Sequence, residues 1–287
     1  MELVAQLFVN GFVLGASLAV VALGLSLIFG VMGVVNFLHA ELVTLGGYVT
    51  YFLVTGAGAS PLLGFAVSVV GGIVIGLALQ RTLLTRIVDR PPLDSLLLTY
   101  GLSVIGLGLI THFFTGNFRS YSAQLPGGLA FGGVSLSYRD LLLVVVCAAL
   151  VAALAAFLRF TRTGAGLRAT AQHREAAAAC GVDLLRMDAL AYALGAALGA
   201  GAGAALSMSF VVTPLLGRDW LLDGFVVVIL GGLGSMPGAV IGGVIIGVAQ
   251  AFFGFLLDDS WARLLVYSLL FVGLLARPRG LLGTATT

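Results

Sequence analysis

The sequence predicts an all-α protein, a polytopic bundle of transmembrane helices, and three observations carry that prediction. Apolar residues make up 60% of the 287 residues and charged residues only 9%, with a mean hydropathy of +1.14. A soluble domain carries about 25% charged residues. Long stretches contain no Asp, Glu or Arg. Glycine also recurs at four-residue spacing, as in Gly195, Gly199 and Gly203, and this spacing lets helices approach one another closely in lipid.

The uncharged stretches indicate how many segments enter the membrane. They are residues 3–40, 42–80, 95–118, 141–158, 189–217, 224–257 and 264–276. At roughly 20 residues per crossing, and with the long stretches divided at turn-forming residues, they predict eight or nine membrane segments. The Gly- and Pro-rich residues 231–238 do not suit a continuous helix. Polar residues also interrupt the apolar sequence at 33–41, so we expect broken helices near 33–41 and 231–238.

The arginines predict the orientation, because short cytoplasmic loops are enriched in basic residues. All 14 basic residues are arginine, and ten of them share one side if residues 95–115 and 140–158 each cross once. These ten are Arg81, Arg86, Arg90, Arg159, Arg162, Arg168, Arg174, Arg186, Arg277 and Arg279, and the remaining four are Arg119, Arg139, Arg218 and Arg263. The loop 159–188 and the C-terminus are therefore expected to be cytoplasmic. The side of the N-terminus stays open, because the broken segment changes the parity of the count.

Several classes of function are disfavoured by the composition. The net charge of +2 gives no reason to expect a nucleic-acid partner. Cys147 and Cys180 fit neither a disulfide framework nor a metal motif. His39, His112 and His173 share no metal or nucleophile spacing with Ser or Cys, which argues against a membrane-embedded enzyme. We therefore expect no metal and no cofactor bound by this chain.

The cytoplasmic loop contains a candidate docking element. Residues 168–180 are nearly all good helix formers, and Gly181 followed by apolar Val182 is typical of a helix end. A short amphiphilic helix between two spans suits docking of a soluble partner, with the polar side chains of Arg174 and Glu175 giving directional contacts. The alternative is an incidental helix in a chain that is rich in alanine.

The string Glu175-Ala176-Ala177, with Gly181 four residues later, resembles the first half of the EAA loop of bacterial ABC importer permeases. The second half of that pattern, Ile-x-Leu-Pro, is absent, and residues 191–194 read Ala-Tyr-Ala-Leu instead. The resemblance implies a coupling helix that inserts into a nucleotide-binding subunit. The residues expected to form this ATPase-coupling loop are Arg168, Arg174, Glu175, Ala176, Ala177 and Gly181.

Four further segments, in order along nearly the whole chain, resemble the LivH-type permeases of branched-chain amino acid importers. They are residues 33–41 (GVVNFLHAE) with 46–48 (GGY), 162–164 (RTG) with 168–169 (RA), 230–238 (LGGLGSMPG) and 277–281 (RPRGL). The resemblance implies that residues 1–287 form a single transmembrane permease domain, with the loop 159–188 as its coupling loop. It also implies residence in the lipid bilayer of the bacterial inner membrane.

The resemblance further implies a set of partners. These are a second homologous, LivM-like permease, two ABC ATPase subunits that bind ATP and Mg²⁺, and a periplasmic substrate-binding protein. The expected cargo is a branched-chain or related hydrophobic amino acid. Urea, amides or another small solute remain alternatives within the same family, and a secondary transporter is a further alternative.

Polar and glycine residues near the two breaks are candidates for the translocation pathway or its gate. They are Asn36, His39, Glu41, Thr99, Tyr100, Gly232, Gly234 and Ser235, with Ser103 one turn beyond Thr99. Charged side chains within the membrane either mark a pathway or pair with one another. For His39 and Glu41 a structural or gating role is favoured over direct contact with substrate. The glycine-rich segment follows no strand, so irregular backbone facing a cavity is a better interpretation than a nucleotide-binding loop.

Overall fold

The computed structural model describes residues 1–88, 90–121, 126–277 and 280–282. Within these ranges the chain forms eleven α-helices and one β-hairpin. The helices are α1 (Glu2–Met32), α2 (His39–Ala57), α3 (Pro61–Thr82), α4 (Pro92–Phe114), α5 (Tyr138–Phe160), α6 (Arg162–Gln172), α7 (Arg174–Ala179), α8 (Leu184–Ser209), α9 (Leu216–Gly231), α10 (Met236–Leu256) and α11 (Asp259–Ala276). The strands are β1 (Gly128–Phe131) and β2 (Val134–Ser137).

The hairpin departs from the all-α prediction, as does an isolated antiparallel bridge between Arg119 and Val212. β1 and β2 pair antiparallel, with Phe131 opposite Val134. Gly132 and Gly133 form the two-residue turn, and both have positive φ angles, 55° and 79°. Such a turn matches the right-handed twist of the flanking strands and is favoured when both central residues are glycine. This turn between two short apolar segments was not predicted from the sequence.

Helices α1 and α8 form the centre of the bundle. Over an apolar stretch of 18 residues, 78% of the residues of α1 and 83% of those of α8 are buried. In α3, α4, α5 and α10 the corresponding buried share is only 22–28%. Helix α1 packs against α5, α8, α9 and α10, and α8 packs against α1, α2, α3 and α5. A Cβ atom on Gly203 of α8 would overlap the Val43 carbonyl of α2, so this glycine permits the close approach expected from the four-residue spacing.

Among the residues that the structure describes, six helices are long and apolar enough to cross a membrane, namely α1, α3, α4, α5, α8 and α10. The predicted count of eight or nine segments is therefore not confirmed. Helix α2, which is 19 residues long, is not among the six, and it begins inside the bundle. The ring of His39, its first residue, lies against Gly24 of α1 and Gly199 of α8, and Gly24 lies two turns before the end of α1. The chain thus turns back within the bundle before α2 starts.

Both predicted helix breaks occur, at residues 33–38 and 232–235. Gly33 ends α1 in the left-handed conformation, with φ of 68°, and donates its N–H to the Phe29 carbonyl at 2.8 Å. At the second break Gly234 has φ of 78°, and the Ser235 hydroxyl caps α10 by accepting from the Gly238 N–H at 3.2 Å. Glycine adopts positive φ without steric cost, and a hydroxyl satisfies a free amide at a helix start.

The two ends of the bundle are chemically distinct, and we name them the hairpin end and the α6–α7 end. The start of α1 lies at the hairpin end, where the Gln6 side chain exchanges hydrogen bonds of 2.9 and 2.7 Å with the Ser135 backbone. The end of α1 and the second break lie at the α6–α7 end, where Gly30 contacts Gly234. The described residues after α11 also lie there, since Leu281 donates its N–H to the Leu230 carbonyl at 2.7 Å. Pro278 and Arg279 of the predicted ending lie outside the described residues.

Candidate functional site

The candidate docking segment is two short helices rather than one. The prediction of a continuous helix over 168–180 is wrong at His173, which is extended, with φ of −155° and ψ of 101°. Its ring caps α7, because Nδ1 accepts a hydrogen bond from the Ala176 N–H at 3.2 Å. The side-chain cap therefore stabilises a new helix start where residue propensities alone favoured continuation.

Helix α7 ends as the sequence predicts, at Gly181. This residue has φ of 85°. Its N–H donates to the Ala178 carbonyl at 2.9 Å, and the Val182 N–H donates to the Ala177 carbonyl at 3.0 Å. These two bonds are the pattern of a Schellman motif, which requires a left-handed residue at the position of Gly181. Any residue with a Cβ would be strained there.

The six residues of the predicted coupling loop face two directions. Arg168, Glu175, Ala176 and Gly181 are exposed at the α6–α7 end, whereas Ala177 is buried. Helix α7 thus has one face against the bundle and one alanine-rich face, with the Glu175 carboxylate, directed away from it. The exposed face carries no long apolar side chain, so it allows a close approach of another backbone.

Arg174 lies on the inner face of α7 and pairs with Asp188 of α8. Its two terminal nitrogens donate to the two carboxylate oxygens, each at 2.7 Å. The Arg174 side chain is 27% exposed and the Asp188 side chain only 1%. Nη1 also lies 3.5 Å from the Val31 carbonyl, near the end of α1. The guanidinium therefore joins α7 to both central helices.

At the first break, Asn36 is hydrogen-bonded to Tyr192, which was not predicted as a site residue. The fully buried Tyr192 of α8 donates its hydroxyl proton to Asn36 Oδ1 at 3.4 Å. The Asn36 amide nitrogen has no partner among the described residues. Tyr192 and Asp188 are one helical turn apart, so they share a face of α8. Asp188 directly precedes the uncharged stretch 189–217, and this position could have indicated the face of α8 that carries Asp188 and Tyr192.

His39 is a packed side chain in this arrangement. It is fully buried, and a Cβ atom on Gly24 or on Gly199 would come within 2.5 or 2.8 Å of its Cε1 atom. The two glycines therefore provide the space that the imidazole fills between α1 and α8. This packing is compatible with the structural or gating role that the sequence predicts for His39.

Glu41 and Thr99 connect the break to α4. Glu41 is buried and its Oε1 accepts a hydrogen bond from the Ser103 hydroxyl at 2.9 Å, while Oε2 has no partner among the described residues. The Thr99 hydroxyl lies 2.9 Å from the Val35 carbonyl and accepts from the Phe37 N–H at 3.3 Å. The first half of α4 is thus fixed to the irregular backbone at 33–38.

Tyr100 lies on the outer surface of the same region, with 48% of its area exposed. Its ring packs edge-on against Phe37, with centroids 5.8 Å apart, and Phe37 in turn lies 5.3 Å from Phe225 of α9. Neither phenylalanine was predicted as a site residue, because an apolar residue in an apolar segment has no feature in the sequence that distinguishes it. The three rings form an aromatic cluster that bridges the break, α4 and α9.

Gly232, Gly234 and Ser235 lie at the second break, against the end of α1. Gly30 and Gly234 meet backbone to backbone, and Ser235 serves as the cap of α10. Asn36, His39, Glu41, Thr99 and Tyr100 instead gather around the first break, with α4 and α8. The candidate pathway residues therefore form two groups, one at each break.

Comparisons with known proteins agree with one another. The profile of the family described as "Branched-chain amino acid transport system / permease component" matches residues 7–275. The chain is 30% identical over 292 residues to the high-affinity branched-chain amino acid transport system permease protein BraD of Pseudomonas aeruginosa, which covers 97% of this chain and 95% of BraD. It is 31% identical to LivH of Escherichia coli (97% and 94%) and 27% identical to a probable LivH of Methanocaldococcus jannaschii (98% and 94%). No solved structure matches the chain.

Proposed function

The chain belongs to the family of branched-chain amino acid transport permease components, and on that premise we propose that it is the permease subunit of an ATP-driven importer. Its cargo is a branched-chain or related hydrophobic amino acid. In this proposal the chain hydrolyses no ATP, and ATP with Mg²⁺ is bound by partner nucleotide-binding subunits. It is a multi-pass protein of the bacterial inner membrane.

The observation that carries the proposal is the outer face of α7. Glu175 and Ala176 are exposed on a short helix that Gly181 ends sharply, at the end of the bundle where the central helices α1 and α8 meet the loop. A small-residue face with one carboxylate suits insertion into a groove of a soluble ATPase subunit. Two such subunits would dock in the complete importer, one on each permease.

A second permease is part of the proposal because the centre of the bundle is filled. Residues of α1 and α8 are buried there, and so are Asn36 and Glu41 at the first break, whereas the Tyr100 ring is exposed at the outer side. A pathway between this chain and a homologous, LivM-like subunit accounts for both facts. A periplasmic binding protein would deliver the amino acid to the hairpin end. The α6–α7 end and the C-terminus are then cytoplasmic, in accord with the arginine distribution.

Co-purification tests the ATPase partnership. The tagged chain is expressed with its companion permease, ATPases and binding protein, and the ATPase retained after solubilisation is measured. We expect retention with the unaltered chain and with Arg186→Gln, an exposed arginine outside α7. Glu175→Ala and Gly181→Val should insert normally but retain less ATPase and lose receptor-stimulated ATP hydrolysis. Undiminished stimulation in both variants would contradict the docking role of α7.

The cargo is tested at the receptor, because affinity in such importers resides in the binding protein. Calorimetric titration of the purified receptor with leucine, isoleucine and valine should show binding, and urea and acetamide should show none. A receptor that bound urea or amides and ignored leucine would contradict the cargo assignment, while leaving the ATP-driven mechanism intact.

A further inference from the structure

We propose that Arg174, Asp188, Tyr192 and Asn36 form one mechanical linkage, which transmits the movement of α7 to the helix break at residues 33–38. The inference rests on the proposed function, since it concerns how ATPase docking is communicated to the pathway. It assigns Arg174 and Tyr192 as positioning residues that act through their neighbours.

The first connection is the two-pronged ion pair between Arg174 and Asp188. Both hydrogen bonds measure 2.7 Å and the carboxylate is almost completely buried. A bidentate guanidinium–carboxylate pair fixes orientation as well as distance. If α7 moved without α8, a carboxylate would be left unpaired at a site that water hardly reaches, which is unfavourable. The pair therefore obliges α7 and the first turns of α8 to move together.

The second connection runs along and across α8. Asp188 and Tyr192 are four residues apart within the continuous helix Leu184–Ser209, so a displacement of one displaces the other. The Tyr192 hydroxyl bonds Asn36 in the middle of the break. Arg174 also approaches the Val31 carbonyl, just before the break. Tyr192 thus contacts the irregular backbone between α1 and α2, and Arg174 contacts the end of α1 next to it.

The break is the part of this region that can respond. Residues 34–36 make no backbone–backbone hydrogen bond with another described residue that would resist a change of backbone angle. The next residue, Phe37, belongs to the aromatic cluster with Tyr100 and Phe225. A shift of Asn36 would therefore alter the contact between Phe37 and Tyr100 at the outer surface. The alternative is that the ion pair only anchors α7 and that the Tyr192 bond contributes to packing alone.

Tyr192→Phe separates the two alternatives, because it removes the bond to Asn36 and leaves the anchor of α7 untouched. In the full importer complex we expect normal ATPase association and a loss of about 5- to 150-fold in receptor-stimulated ATP hydrolysis, the range of typical coupling free energies. Asp188→Asn should produce a comparable loss. Arg186→Gln, which alters an exposed pair at the same end, should behave as the unaltered chain.

A chemical reporter in the break supplies the independent measurement. Cys147 is buried and Cys180 exposed, so Val35→Cys in a Cys180→Ala background gives one reactive thiol near Asn36. We expect its maleimide labelling rate to differ between nucleotide-free and nucleotide-trapped complexes, and this difference to vanish with Tyr192→Phe although nucleotide is still trapped.

Failure of the linkage and failure of the proposed function would give different results. Unchanged stimulation together with an unchanged labelling difference in Tyr192→Phe would overturn the linkage and leave the proposed function standing. If the unaltered chain neither retained an ATPase nor stimulated one, the proposed function itself would be contradicted, and the linkage with it.

Discussion

Removal of the Arg174 side chain tests the buried ion pair that joins α7 to α8. In Arg174→Ala the Asp188 carboxylate, 1% exposed in the native chain, loses its cationic partner while α7 stays docked. Breaking a buried pair in this way costs about 3–5 kcal/mol. Undocking of α7 lets water reach Asp188 and relieves this cost, so the docked state of α7 loses about that much free energy.

The matched control is Arg186→Gln. Arg186 lies 3.2 Å from Asp183, but the two side chains are 81% and 52% exposed. Surface ion pairs of this kind contribute about 0.2–1 kcal/mol. Both substitutions remove one positive charge from the same end of the bundle, so their difference isolates the effect of burial.

Amide hydrogen exchange in lipid nanodiscs measures the consequence. At 1.36 kcal/mol per factor of ten, the loss in Arg174→Ala corresponds to about a 150- to 5,000-fold rise in the open population of α7. Amides such as those of Ala177 and Val182, which are hydrogen-bonded in the native chain, should exchange faster by a factor of this order. Arg186→Gln should change them by less than about tenfold. Equal exchange in the two variants would refute the reasoning.

Three further predictions concern the bundle and the first break. Gly203→Ala should destabilise the protein by about 1–3 kcal/mol, because the methyl group overlaps the backbone of α2, whereas Gly108→Ala has open space around it and should not lower the thermal unfolding temperature. Ser103→Ala leaves the buried Glu41 carboxylate without the partner of its Oε1 atom, and thermal unfolding should show a loss of about 1–3 kcal/mol; an unchanged midpoint would contradict the bond. Tyr100→Ala removes an exposed ring, so we expect the unfolding midpoint to change little but leucine uptake to fall; normal uptake would exclude Tyr100 from the pathway.

The requirement of a bilayer for apolar helices and the requirement of left-handed helix ends for glycine explain which parts of the fold could be predicted from the sequence. A bilayer demands long apolar helices, so the spans around α3, α5 and α10 were evident. Left-handed helix ends demand glycine, so the stop at Gly181 could be placed closely. Polar residues at 33–41 and the Gly- and Pro-rich residues 231–238 indicated the two breaks. The extent of α2 could not, because its start inside the bundle depends on the space that Gly24 and Gly199 leave for His39.

The site was less predictable, because its side chains are placed by tertiary contacts. The sequence predicts polar contacts by Arg174, but the orientation of its side chain towards Asp188 depends on how α7 packs against α8. The division at His173 depends on a side-chain cap that overrides the good helix propensity of its neighbours. Tyr192 and Phe37 lie in apolar segments, where only the partner across the interface gives them a role.

Uptake by proteoliposomes tests the central claim most directly. The chain is reconstituted with its companion permease and ATPases, the leucine-loaded receptor is added on the side of the hairpin end, and labelled leucine is measured inside with and without internal ATP and Mg²⁺. The account predicts accumulation that requires ATP, the receptor and an intact α7, and that is lost in Gly181→Val. Accumulation driven by an ion gradient, without ATP or an ATPase subunit, would contradict it.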